Sequence, residues 1–277
     1  MPAFPSPYSA LLHHASRAAE EPWLFRSEGL DWRWVPWGDL ARRAGAWAGH
    51  LAGRPLGSRV AFPYRPSPES IALDLGILGA GLVSAPVSGE SVPEPEVSLP
   101  GPSSPRPSSP APSQPPSPGE EGEQPDRPNT GGAVVLIDGA PVEVSAAEMM
   151  AMAERVQAEI APARRAGERE IVVLGGALET PEERAMLSWA TVTGAAVALE
   201  PAPELRIATA AWVRPTVFHG TAEEIAALRG WVEAKKKRGL PFGRLRTLLV
   251  AGGEIGEGEA GYWRELGVRV GRVPRFL

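Results

Sequence analysis

Residues 59–87 read RVAFPYRPSPESIALDLGILGAGLVSAPV, and the fold turns on this stretch. RVAFPY (59–64) and LVSAPV (82–87) are short apolar runs of the length of buried strands. Between them, Ser67 and Pro68 are an N-cap and a first-turn proline, which predicts a helix running through about Leu78. A strand, a helix and a strand in this space predict a right-handed crossover between two parallel neighbours.

The same alternation extends in both directions. Upstream, Leu40, Ala44, Trp47 and Leu51 recur at helical spacing in DLARRAGAWAGHL, which Gly53 and Pro55 terminate. WLFRSE and DWRWVPW read as a hairpin around Gly29. Downstream, AVVLID (133–138) is a strand, and Ser145 with Glu148 forms a capping box before a helix. That helix carries Met149, Met152, Ala153, Val156 and Ile160 on one face. EIVVLGG is a strand, and Thr180-Pro181-Glu182-Glu183 opens a helix by the same capping chemistry. AAVALE is a strand, followed by a helix near 203–212 and the short strand TVFHG. Thr221 and Glu224 cap a helix towards Lys235; RTLLVAGG (246–253) and VRV (268–270) are strands with a helix between them. Repeated βα units predict an α/β protein with largely parallel sheets flanked by helices, either two related sheets or two subdomains.

Residues 89–130 interrupt this pattern. They hold 13 of the 31 prolines, eight serines and only four aliphatic residues, Val92, Val97, Leu99 and Ala111. So little apolar surface cannot offset the entropy of ordering, so the segment is expected to be a disordered linker, partly polyproline II. A spacer and a ligand for polyproline-reading domains both fit it. The segment also carries seven acids and two bases, so it holds the whole formal charge of −5; the other 235 residues have 26 of each sign. A neutral globular part offers no electrostatic footprint for nucleic acid or an anionic membrane, so neither is expected as a partner. The absence of Cys excludes disulfides, thiolate metal sites and thiol nucleophiles. Lys occurs only at Lys235, Lys236 and Lys237. The N-terminus lacks a basic stretch followed by an apolar core, so a signal peptide is not expected and the cytoplasm is the default location.

The first block resembles the N-terminal domain of the AMP-dependent synthetase/ligase superfamily, which includes acyl-CoA synthetases and peptide-synthetase adenylation domains. The residues that carry the resemblance are Gly57-Ser58-Arg59-Val60, Pro68-Glu69, Gly76-Ile77-Leu78, Gly81 and Pro86, in the family's order, with Ser58 in place of its usual Asp. In the second block, VEVSAAEMMAMAERVQ is similar to the segment after the family's phosphate loop. SWATVTGAAVALEP, RPTVFHGTAEEIAAL and GRLRTLLVAGGEIG resemble later units of the same domain. The resemblance divides the chain into 1–88, a first α/β part; 89–130, the linker; and 131–277, a second part of the same domain.

What the resemblance implies about activity is qualified by what is absent. The family joins a carboxylate to ATP as an acyl-adenylate and then transfers the acyl group to a thiol. It uses a Ser/Thr/Gly/Lys phosphate loop, a divalent metal, a Thr-Glu motif, a ribose-binding Asp and a lysine from a C-terminal domain. Between AVVLID and VEVS only Gly139-Ala140-Pro141 stand where that loop belongs. The sequence shows no Thr-Glu pair after VRV, no family lysine and no C-terminal ligase domain. The expectation is a non-adenylating pseudoenzyme with no catalytic residues and no cofactor, which binds a protein partner or an acyl or nucleotide ligand. The alternative is an acid–thiol ligase, weakly active or completed by a separate subunit, for which ATP and Mg would be the cofactors.

By resemblance, Gly252, Gly253 and Glu254 line the acyl and adenine pocket; read from the residues alone they are a glycine turn into a helix. His219 ends a strand beside them and is either a base in that pocket or a packing histidine. His13, His14 and His50 are helix-surface residues with no carboxylate at metal-ligand spacing, so no metal site is expected. The run Lys235–Arg238 reads as the solvated last turn of a helix, favourable to its dipole. Five tryptophans between Trp23 and Trp47 fit core packing or an exposed aromatic patch for a partner.

Overall fold

The computed structural model describes residues 3–28, 31–87, 131–235 and 243–274. The chain begins with α1 (Pro7–Ala18), the strands β1 (Pro22–Glu28) and β2 (Asp31–Pro36), and α2 (Trp37–Leu51). The deciding stretch follows as β3 (Arg59–Pro63), α3 (Pro68–Gly79) and β4 (Val83–Val87). Strands β3 and β4 are parallel, with Arg59 opposite Val83. Ser67 caps α3 by accepting from the Ser70 N–H at 3.1 Å. The hairpin expectation holds as an antiparallel β1–β2 pair, although Gly29 itself lies outside the described residues. The linker 89–130 also lies outside them.

Residue 131 onward supplies β5 (Gly132–Ile137), β6 (Ala140–Ser145), α4 (Ala146–Ile160), β7 (Ile171–Leu174), α5 (Pro181–Thr193) and β8 (Ala196–Leu199). It continues as α6 (Arg206–Val213), β9 (Val217–Gly220), α7 (Ala222–Lys235), β10 (Thr247–Val250), α8 (Glu257–Glu265) and β11 (Arg269–Arg272). The Ser145–Glu148 capping box forms in both directions, and the five apolar residues named for the α4 face are all buried. Lys236, Lys237 and Arg238 lie outside the described residues.

Two sheets result. The larger has the order β11-β10-β9-β7-β8-β1-β2, parallel throughout except for β2 at its edge. The smaller has the order β3-β4-β5-β6, with β6 antiparallel at its edge. Both sheets draw strands from either side of the linker: β4 pairs with β5, and β1 pairs with β8. The sequence reading did not give β6 as a strand. Five of its six residues are exposed, so it lacks the apolar run that marks the others.

The pleat divides the larger sheet's side chains between two cores. Val172, Leu174, Val197, Leu199, Val217 and Leu249 enter the core shared with the smaller sheet. Val173, Ala198, Phe218, Leu248 and Val250 enter a second core, with Ile225 and Leu228 of α7 and Trp263 of α8. Helix α5 runs through the shared core and is buried from Glu183 to Val192. It therefore brings two charged residues, Glu183 and Arg184, into the interior at its first turn, and each needs a partner there.

Trp23 and Trp37 are fully buried with ring centroids 4.8 Å apart, so most of the tryptophan-rich stretch that the structure describes serves packing. Trp34, on the edge strand β2, is 54% exposed. His14 corrects the surface expectation. Its ring stacks on Trp37 at 4.8 Å, and its Nε2 lies 3.2 Å from the Val192 carbonyl.

Candidate functional site

Strand β7 is the topological switch point of the larger sheet. From β7 the chain moves through α5 to β8 on one side, and β9 then returns to β7's other side. Ligands of open α/β sheets bind in the crevice outside the carboxyl ends of such strands. A cleft of about 240 Å³ lies there. Thr180, Glu182 and Glu183 line it after β7, Gly220 at the end of β9 and Glu224 beyond it, and Gly252 after β10. His219, at the end of β9, and Arg206, at the start of α6, complete its wall.

Glu183 is the centre of the site. Thr180 caps α5 by accepting from the Glu183 N–H at 3.4 Å. The Glu183 carboxylate does not return to close a capping box. It accepts instead from the Gly175 and Gly176 N–H groups at 3.1 and 3.0 Å, just past the end of β7. His219 Nδ1 lies 3.3 Å and Arg206 Nη2 3.9 Å from Glu183 Oε1. Burial alone would raise this carboxyl's pKa; the imidazole, the guanidinium and the Gly176 amide outweigh it and hold it at about 2. Gly176 has φ +82°, and a Cβ there would meet Leu199 Cδ1 at 2.6 Å, so glycine is required at the amide that faces the carboxylate.

Arg206 extends the network. Its Nη1 donates to Glu224 Oε1 at 2.8 Å and its Nη2 to the His219 carbonyl at 2.6 Å, while its guanidinium lies 5.8 Å from the Phe218 ring centroid. Glu224 Oε2 in turn accepts from the Thr221 N–H at 2.8 Å, and Thr221 Oγ1 accepts from the Glu224 N–H, so this capping box is complete. A Glu183–His219 pair has the form of an orienting carboxylate and a base. Of the hydroxyls that line the cleft, Thr180 Oγ1 donates to the Ala177 carbonyl and Thr221 Oγ1 accepts from the Glu224 N–H. Among the described residues no cluster of His, Asp and Glu could hold a metal ion.

Of the four residues singled out in the sequence, His219 and Gly252 meet in this cleft. Gly253 and Glu254 line an adjoining cleft of about 480 Å³ that shares Glu182 and Gly252 with the first. There Glu254 pairs with Arg272 at 2.5 Å, both largely exposed. Sequence reasoning missed Glu182, Glu183, Arg206 and Glu224 as site residues. Two of the glutamates carried a visible signal as helix-capping residues, but their long-range partners carried none.

The smaller sheet settles the geometry where the resemblance places a phosphate loop. Strands β5 and β6 pair down to Ile137 opposite Ala140, leaving a two-residue turn of Asp138 and Gly139 with φ +51° and +79°. Positive φ at both central positions is the type I′ hairpin turn that Asp-Gly favours. Such a turn has no room for a chain of amides wrapped around a phosphate, and Asp138 adds a negative charge.

The fold is shared with solved AMP-dependent ligases. The nonribosomal peptide synthetase FmoA3 in its AMPPNP-bound form matches with a TM-score of 0.71 and 19% identity, over 97% of this chain and 31% of that one. The inhibitor-bound N-terminal domain of FACL13 from Mycobacterium tuberculosis matches at 0.67 and 14%, over 96% and 74%. The fatty acyl-adenylate ligase from L. pneumophila, in complex with acyl adenylate and pyrophosphate, matches at 0.68 and 12%, over 96% and 54%. The chain thus spans about a third of the peptide-synthetase chain and about half of the acyl-adenylate ligase. No protein-family model matches the sequence, and no curated protein matches it. Among the described residues no helix is long and apolar enough to cross a membrane.

Proposed function

We propose that this chain keeps the scaffold of an adenylate-forming ligase without its chemistry, and acts by binding a ligand or a partner at the β7–β9 crevice. The observation that carries this reading is the two-residue Asp138-Gly139 turn between β5 and β6. Phosphoryl and adenylyl transfer depend on donors fixed around the phosphates, and losing one such element costs orders of magnitude in rate. A second feature agrees with it. The strand-end amides of Gly175 and Gly176 are occupied by the chain's own Glu183, so they are not available to a ligand anion.

The test is ATP–pyrophosphate exchange by the purified full chain with Mg²⁺ and a panel of carboxylic acids. The expected result is no exchange above a protein-free blank; robust exchange with any acid would overturn the reading. The intact crevice also supports a second reading, a ligase completed by a separate subunit. On that reading, adding a protein that carries a ligase-type C-terminal domain should give thioester formation, and failure to give it removes this alternative.

A further inference from the structure

We propose that the turn after β7 is a carboxylate receptor that the chain fills itself: Glu183 is a tethered ligand that shuts the head of the β7–β9 crevice to free acids. This goes beyond the reading above, which leaves the class of ligand open.

The first observation comes from comparing helix starts. Ser145–Glu148 and Thr221–Glu224 have the spacing of Thr180–Glu183, and in both the carboxylate returns to the N-cap N–H, at 2.7 and 2.8 Å. In α5 that N–H is spent on the Ala177 carbonyl at 2.8 Å. Glu183 turns away from its own cap and reaches back seven and eight residues, to Gly176 and Gly175. Capping chemistry accounts for the glutamate in the other two helices and not for the direction of this one.

The second observation is the shape of what Glu183 meets. The Gly175 N–H donates to Oε1 and the Gly176 N–H to Oε2, so each carboxylate oxygen has its own amide. Arg206 Nη2, 3.9 Å from Oε1, adds positive charge beside them. The glycines keep the approach clear: an added Cβ would stand 3.4 Å from Oε1 at Gly175 and would overlap Leu199 at Gly176. Convergent amides and a guanidinium in a buried turn select an anion, and one amide for each oxygen selects a planar carboxylate. Burial opposes an anion here, yet the neighbouring groups outweigh it and hold the carboxyl at about 2.

The third observation is access. Glu183 lines the crevice, so shortening its side chain joins the receptor to the open cleft. Glu183→Ala removes the Cγ methylene and the carboxylate, the heavy atoms of an acetate ion. The two buried amides then lack an acceptor, a cost that a bound carboxylate removes.

The experiment is urea unfolding of the full-length parent, Glu183→Ala and Glu183→Gln at pH 7. Sodium acetate is set against sodium chloride of equal ionic strength, with formate, acetamide and phosphate as comparisons. Acetate should lower the unfolding constant of Glu183→Ala about fivefold, by binding the native state alone. Formate should act more weakly, and acetamide and phosphate should match chloride. The parent, whose receptor is full, and Glu183→Gln, whose amide fills the same space, should not respond to acetate. If Glu183→Ala does not fold in chloride, its refolding yield in acetate reads the same binding. The amide resonances of Gly175 and Gly176 give the location, and in Glu183→Ala they should move on addition of acetate. No response of Glu183→Ala to acetate, an equal response of the parent, a stronger response to phosphate, or still Gly175 and Gly176 signals would each overturn the proposal. Pyrophosphate exchange is independent of it. Exchange by the parent removes the non-adenylating reading and leaves the receptor, whereas failed acetate rescue does the reverse.

Discussion

Arg184 Nη1 lies 2.5 Å from Asp74 Oδ2, and both side chains are buried although they are 110 residues apart. Asp74 comes from α3 beside the smaller sheet and also accepts from Ser84 of β4; Arg184 comes from α5. Removing one member of such a pair leaves an uncompensated buried charge and costs about 3–5 kcal/mol. Asp74→Ala should therefore lower the unfolding free energy by that order in a urea titration. The double variant Asp74→Leu with Arg184→Met should lose less than Asp74→Ala alone. A larger loss in the double variant would show that the pair's value lies in its attraction rather than in mutual neutralisation.

Glu183 makes the fold acid-sensitive. Its carboxyl titrates at about 2 in the folded chain, against an ordinary 4.5. A depressed pKa contributes stability that is complete above the unfolded value and is lost as pH falls from about 4.5 towards 2. Glu183→Gln should be less stable than the parent at pH 7 and show a shallower loss across that window. Parallel pH–stability curves for the two proteins would contradict this assignment.

Two glycines at positive φ differ in cost. A Cβ at Gly139 meets nothing within 4 Å, so Gly139→Ala pays only the left-handed backbone, about 1–2 kcal/mol. A Cβ at Gly176 adds overlap with Leu199 and Pro66, so Gly176→Ala should cost distinctly more. The order of the two midpoints in chemical denaturation checks the difference.

The tryptophans divide in the same way. Trp37 is 1% exposed and packs on Trp23 and His14, so Trp37→Ala should destabilise by about 3–5 kcal/mol. Trp34→Ser, at a 54% exposed edge position, should stay within about 0.5 kcal/mol. Thermal unfolding of the two variants measures both.

Legibility in the sequence followed the range of each interaction. The β3–α3–β4 unit was readable because a proline-opened helix between two apolar runs is a local signal. The Ser145–Glu148 box was readable for the same reason. Strand β6 was not, since VEVS is short and buries only Val144; the Asp-Gly dipeptide before it was the available hairpin signal. His219 and Gly252 stand at strand ends, where a resemblance could nominate them. Glu183 was seen only as a capping residue, because its amide partners belong to the preceding strand end and its charged partners to elements 23 and 36 residues further on. Arg206 opens a helix with no sequence mark of its role.

The parallel pairing of β4 with β5 has one further consequence. Parallel neighbours require the intervening chain to cross back over the length of a strand, a distance that a dozen or so residues can span. Residues 88–130 exceed that several times over. Because the entropy of closing a connection grows only with the logarithm of its length, each halving changes the cost by about 0.6 kcal/mol. The topology therefore sets a minimum for this connection and almost no maximum, which leaves its length and composition to drift, or be selected, independently of the fold.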